Sequence, residues 1–201
     1  MSKWDERYQT EEYVFGTEPN EFIARIEPYL PSAGKALDLA TGEGRNGIFL
    51  AQHGLDVEGV DMSAKGLEKA QSLADEKGVR FHTRLADITA MEWPSEYYEI
   101  VTSVFCHFAE PTRTQTMQKI VSTLKPGGLF AGVFYHPDQI GYGTGGPSDP
   151  AMLGTLTEMQ QALSGLEWVI AEHEVREINE GIRHRGMSSF ICLLGRKPDH
   201  Q

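Results

Sequence analysis

The sequence predicts an α/β domain built on a mostly parallel, open sheet. Residues 35–61 alternate strand, glycine turn, helix and strand, the pattern of a βαβ unit. Residues 98–108, YEIVTSVFCHF, form the longest apolar run, suited to a central strand buried on both faces. Residues 167–178 and 181–195 alternate well enough for a terminal hairpin turning at Asn179-Glu180-Gly181. Ligands of such sheets sit beyond the carboxyl ends of the parallel strands, so side chains at those ends are the first to weigh.

In chain order, a helix is expected from near Ser2, its cap, to just before Gly16, and a second from Pro19 to Tyr29, stopped by Pro31. Ala36 to Ala40 is a short apolar strand interrupted by Asp38. Thr41-Gly42-Glu43-Gly44 then bends the chain without side chains in the way. Ile48, Phe49, Leu50 and Ala51 give the following helix its buried side, Gly54 stops it, and Val57 and Val60 lead to a second acid, Asp61. Ser63 caps a helix whose Leu67, Ala70, Leu73 and Ala74 face inward until Gly78. A third strand is expected over 79–85, a helix over 112–124 and a strand over 129–135 after the turn Lys125-Pro126-Gly127-Gly128. Residues 136–149 are rich in Gly and Pro and too polar for a core. Residues 137–154 therefore read as a loop over the site, and a helix over 155–163 leads into the hairpin.

At 201 residues, 40% of them hydrophobic, the chain can bury a sizeable core, and one domain over 1–201 is expected. A net charge of -11 and a pI near 5.1, with no basic stripe, argue against a nucleic-acid partner and favour a small molecule. Cys106 and Cys192, far apart in apolar surroundings, point to buried thiols in a reducing compartment. With no signal peptide and no long apolar span, a cytoplasmic protein that avoids membranes is expected. The histidines and cysteines lack ligand spacing, so no metal is implied. Monomer and homodimer both stay open.

Two ligands compete for the glycine turn. Gly42-Glu43-Gly44-Arg45-Asn46-Gly47 matches the dinucleotide pattern G-x-G-x-x-G, with Asp61 placed to hold a ribose hydroxyl, so an NAD(P)-dependent oxidoreductase is one reading. Against it, the Asp38 charge would repel a diphosphate over this turn and attract a cation. S-adenosylmethionine (SAM) carries an ammonium and a sulfonium at one end and a ribose diol at the other. It meets both acids.

At this point the sequence resembles the class I SAM-dependent methyltransferases. Leu37-Asp38-Leu39-Ala40-Thr41-Gly42-Glu43-Gly44 is similar to their first motif, with Ala40 at an early position usually held by glycine, and Lys125-Pro126-Gly127-Gly128 resembles a late one. The resemblance implies a Rossmann-like three-layer sandwich whose seven-stranded, mostly parallel sheet has the order 3-2-1-4-5-7-6 and an antiparallel last strand. It implies a cofactor set of Asp38, Ala40, Gly42, Gly44, Asn46, Asp61 and Met62 from the first βαβ unit. Asp87 would lie near the adenine amino group between Ala86 and Ile88, with Val104 and Phe105 completing the set.

Trp4-Asp5-Glu6-Arg7-Tyr8 and the stretch from Tyr13 to Pro19 resemble the tellurite-resistance-type and thiopurine-type small-molecule branch. In that branch residues 1–34 would provide a lid and helices, with Trp4, Tyr8, Tyr13, Phe15, Tyr142 and Arg185 near the acceptor. The acceptor would be a small molecule with a soft sulfur, selenium or tellurium nucleophile. A thiolate or oxyanion needs no base, whereas a hydroxyl or amine would call on His107 or His136 at the strand ends. A SAM-binding module without catalysis is a further alternative.

Overall fold

A computed structural model describes residues 3–199. Seven strands form one sheet in the order β3-β2-β1-β4-β5-β7-β6. They are β1 (Lys35–Leu39), β2 (Asp56–Asp61), β3 (His82–Leu85), β4 (Tyr98–Val104), β5 (Leu124–Tyr135), β6 (Glu167–Glu180) and β7 (His184–Arg196). The first five pair in parallel, and β7 runs antiparallel to both β5 and β6. This is the Rossmann-like arrangement the resemblance implied.

Strand alternation sends neighbouring side chains to two separate cores. Ala36, Val57 and Ile100 face one side, where they meet α2 (Glu21–Arg25), α3 (Arg45–Gln52) and α4 (Ala64–Lys77) through Ile23, Ile48 and Leu73. Leu37, Leu39 and Val101 face the other, against Ile120 and Met117 of α5 (Thr112–Thr123) and Met159 of α6 (Leu156–Ala162). The central strands are thus apolar on both faces, which made their runs legible. Ser63 caps α4 by accepting from the Gly66 amide, and Gly78 ends it at φ 68°.

Several expectations need correction. The first helix, α1, covers only Lys3–Arg7, and the expected Ser2 cap lies outside the described residues. The chain beyond Arg7 cannot stay helical because its amides and carbonyls are used elsewhere. Val14 donates its N–H to Glu43 Oε2 at 2.9 Å and accepts from the Ile182 amide at 2.9 Å. The second helix is cut at Arg25 and resumes as a 3-10 turn, Glu27–Tyr29, because Pro28 has no N–H to continue the α-helical ladder. The Lys-Pro-Gly-Gly segment is an irregularity inside β5 rather than a turn before it, since Tyr98 pairs with Leu124 and Ile100 with Leu129. β3 is shorter than expected and exposed throughout, with Phe81 just ahead of it buried. β4 stops at Val104, not Phe108, because Phe105 turns into the left-handed region at φ 55°. The segment 137–154 contains two 3-10 turns, Pro137–Gly141 and Pro150–Met152.

Ala40 also lies at positive φ, 51°, where the family resemblance placed a glycine. A Cβ in that region costs about 1–2 kcal/mol, partly offset because glycine gains more unfolded-state entropy. Ala40→Gly is expected to raise the unfolding free energy by roughly 0.5–1 kcal/mol in urea denaturation. A loss of stability would show that the alanine methyl makes contacts worth more than its strain.

Candidate active site

The carboxyl ends of β1 and β2 deliver Asp38 and Asp61 to either side of the glycine turn. Asp38 is 1% exposed, and it is not a free carboxylate aimed at a ligand, as the sequence reading had it. One oxygen accepts from Thr102 Oγ1 at 2.6 Å, and the other from Thr41 Oγ1 at 2.5 Å and the Gly47 amide at 3.0 Å. Burial pushes its pKa up to about 6, with these donors pulling the other way. It acts on a ligand through its field and by fixing the turn. Asp61, 6% exposed, accepts from the Gly42 amide through Oδ2 and the Ser63 amide through Oδ1, each at 2.8 Å. Burial raises its pKa also.

This arrangement separates the two ligands the sequence left open. In a dinucleotide site the amides of the glycine turn and the helix start would face a diphosphate. Here the amides of Gly42 and Gly47 are already given to the protein's own carboxylates. The third glycine of the pattern serves packing: a Cβ at Gly47 would lie 2.6 Å from the Phe81 ring. Gly42 (φ 55°) and Gly44 (φ 89°) make the bend itself, which suits the backbone approach of an amino-acid tail.

The segment after α1 lies over this turn. A Cβ at Gly42 would come within 2.6 Å of the Tyr8 hydroxyl, so the buried Tyr8 covers the glycine backbone. Asp5 fastens α1 by accepting from Ser63 Oγ at 2.7 Å, and Trp4 stacks on Tyr8 with ring centroids 6.0 Å apart. Farther along, Glu43 pairs with Lys69, whose ammonium also donates to the carbonyls of Thr10 and Glu12.

Beside the turn stands an aromatic group from four parts of the chain. Phe105 stacks on Tyr135 at 4.4 Å and meets His184 edge-on at 4.8 Å, and Phe15 lies 4.5 Å from His184. The left-handed backbone of Phe105, held by its N–H to the Val133 carbonyl, aims the ring here. Below it, Arg45 and Glu180 form an ion pair at 2.7 Å with both side chains under 10% exposed. Asn20 Nδ2 donates to the same glutamate, and the Asn20 amide donates to Asn46 Oδ1.

The two histidines expected as bases are placed otherwise. His107 Nε2 accepts from the Tyr135 amide at 2.9 Å, and burial lowers its pKa to about 4, so it is a neutral structural link between β5 and the chain leaving β4. His136 follows Tyr135 and is turned to the opposite face. It accepts from the Asp138 amide, stacks on His173 at 3.9 Å, and has a pKa lowered by burial and by that histidine. Although His136, Asp138 and His173 lie close enough to invite a metal, their imidazoles stack with planes 21° apart, so their lone pairs do not converge.

Other expected contacts fall outside the cluster. Tyr13 reaches the Lys69 carbonyl on α4, Tyr142 is 40% exposed, and Arg185 donates to the Gly181 carbonyl on the outside of the hairpin. Asp87 is engaged in its own turn with Thr89, which lowers its pKa, while Ala86 donates to the Asp61 carbonyl and Ile88 is buried. Met62 is exposed just after β2, and Val104 ends β4 next to Phe105. Cys106 has its pKa pushed up to about 12 by burial and offers no nucleophile. Sequence reasoning passed over Tyr135 as strand core, and Arg45 with Glu180, 135 positions apart, gave no local signal. His184 was legible only as one of two basic residues opening the last strand.

The fold and the acid-flanked glycine turn define an α/β domain for an adenosyl ligand with a cationic end. Residues 36–128 match the family described as a methyltransferase domain, and the sheet order with its antiparallel β7 is the one that the resemblance to class I SAM-dependent methyltransferases implied. It is 29% identical over 111 residues to the tRNA 5-carboxymethoxyuridine methyltransferase of Escherichia coli (strain K12), a match covering 53% of this chain and 42% of that protein. The chain spans about half the length of the curated relatives it matches. Among solved structures, one from work on conversion of a disulfide bond into a thioacetal group during echinomycin biosynthesis superposes with a TM-score of 0.79 at 14% identity, covering 98% of this chain and 92% of that one. TehB from Haemophilus influenzae superposes with a TM-score of 0.71 at 18% identity, covering 96% and 65%. At such identities these two speak for the fold. No described helix is long and apolar enough to cross a membrane.

Proposed function

We propose that the chain transfers the methyl group of SAM to a small-molecule acceptor whose nucleophile arrives ready to react, a soft sulfur, selenium or tellurium centre. The observation that carries this reading is the pair of carboxylates, Asp38 and Asp61, that occupy the Gly47 amide at the start of α3 and the Gly42 amide of the glycine turn. They leave the bend, covered by Tyr8, in a negative field, which suits a cationic amino-acid tail and disfavours a diphosphate. Asp61 and the exposed Met62 would hold the ribose and flank the base, and Gly42 and Gly44 would admit the tail. When bound, SAM supplies a methyl group made electrophilic by its sulfonium.

The protein's own work is then to orient the acceptor and keep water out. His107 is committed to the Tyr135 amide and His136 faces away, so neither serves as a base. This favours a thiolate-like nucleophile. A chalcogen oxyanion fits less well, because the buried cation of the site, Arg45, is already paired with Glu180. Transfer of labelled methyl from SAM to a panel of small thiols, selenols and tellurite is the direct test. Product with the thiols supports the reading, and binding of S-adenosylhomocysteine (SAH) with no transfer across the panel favours a module without chemistry.

A pH effect follows from Asp38. Its raised pKa means that the folded chain holds this proton more tightly than the unfolded one, so its stabilising contribution is full below the ordinary carboxylate range and is lost as pH rises through about 6. A cation over the turn favours the charged form, and the raised Asp61 acts in the same direction. SAM is therefore expected to bind more weakly near about pH 5.5 than near about pH 7.5, with protons released at the lower pH. Calorimetry in buffers of different ionisation enthalpy counts those protons, and an affinity flat over this range would sever Asp38 from the ligand.

A further inference from the structure

Tyr135 and His184 stand apart from every other polar pair in the described residues near the site. The Tyr135 hydroxyl and His184 Nδ1 are buried and have no hydrogen-bond partner. The residues are 1% and 9% exposed, with ring centroids 5.8 Å apart. A buried polar atom left unpaired is costly, and these two, on rings in contact, each mark a place where a partner is missing.

We propose that these two atoms anchor an uncharged hydroxyl or phenol carried by the acceptor beside its nucleophile, an inference that rests on the acceptor reading above. The walls around them are aromatic: Phe105 stacks on Tyr135, and Phe15 and Phe105 both contact His184. They suit a planar molecule. The adjoining charges, Arg45 and Glu180, neutralise each other, and Arg7 lies over the Trp4 ring. Between neutral groups a hydroxyl is suited to both, since it can accept from the phenol and donate to the imidazole. Both protein groups stay neutral near pH 7, since burial raises the tyrosine and lowers the histidine to about 3. A Cβ at Gly145 would lie 3.2 Å from the Tyr135 hydroxyl and 3.3 Å from His184 Cδ2, so a side chain there would press on both rings.

The test compares phenol with toluene as probes, titrated into the SAH-loaded protein and followed by NMR shifts of the Phe105 and Gly145 backbone amides, which every variant retains. Phenol is expected to bind roughly tenfold more tightly than toluene, and Tyr135→Phe and His184→Leu should each reduce that preference to under about threefold. Tyr135→Phe, which deletes an unpaired hydroxyl and nothing else, should melt at or above the wild-type temperature. Equal affinity for the two probes, no binding of either, an unchanged preference in Tyr135→Phe, or a lowered melting temperature in that variant would overturn the assignment. A wild-type chain that fails to bind SAH while still preferring phenol would fault the cofactor reading and leave the anchor standing.

Discussion

Glu180→Ala is expected to lower the unfolding free energy by roughly 3–5 kcal/mol, because it leaves the Arg45 guanidinium buried without its carboxylate. The same substitution strips Asn20 Nδ2 of its acceptor and loosens the contact between the hairpin turn and the start of α3. Two effects can be told apart. Replacing both charges at once, Arg45→Met with Glu180→Leu, removes the uncompensated charge and should recover most of the loss, since an apolar pair of similar volume is often as stable as a buried ion pair. Urea denaturation of the two variants reads this directly. If the single variant loses less than about 1 kcal/mol, the pair is solvated in solution and the turn of the hairpin does not sit against Arg45 as described.

Asp61→Ala is expected to weaken SAM and SAH binding by about 1.5–3 kcal/mol, roughly ten- to 150-fold, the scale of a hydrogen bond to a charged group. The structure adds a second route to the same loss. Asp61 holds the amides of Gly42 and Ser63, so its removal frees the bend on which the tail would rest and the cap of α4. Asp61→Asn retains one acceptor oxygen and should fall between the two. Calorimetric titration of SAH with each variant, checked against its melting temperature, separates lost contact from lost shape. Full affinity in the alanine variant would remove the ribose from this residue.

Much of this was legible because the signals are local. The strand ending at Asp38, the positive-φ glycines Gly42 and Gly44, the Ser63 cap and the Gly78 stop each depend on residues a few positions apart. Where sequence reasoning failed, the deciding partner was distant. The helix expected through Tyr13 was undone by Glu43 and Ile182, which take the amide and carbonyl of Val14. His107 looked like a base until the Tyr135 amide claimed its nitrogen, and His136 lost its place to the alternation of a strand.

By itself, then, the amino-acid sequence determined the open α/β architecture and the glycine bend between two acids, since periodicity, capping and turn chemistry are properties of neighbouring residues. Tertiary structure alone decided that Asp38 is bolted into the turn rather than exposed. It also decided that Arg45 meets Glu180, and that the unpaired hydroxyl of Tyr135 and imidazole of His184 share one aromatic recess. Those pairings join residues up to 135 positions apart, and hydrogen bonding and charge act on distance in space.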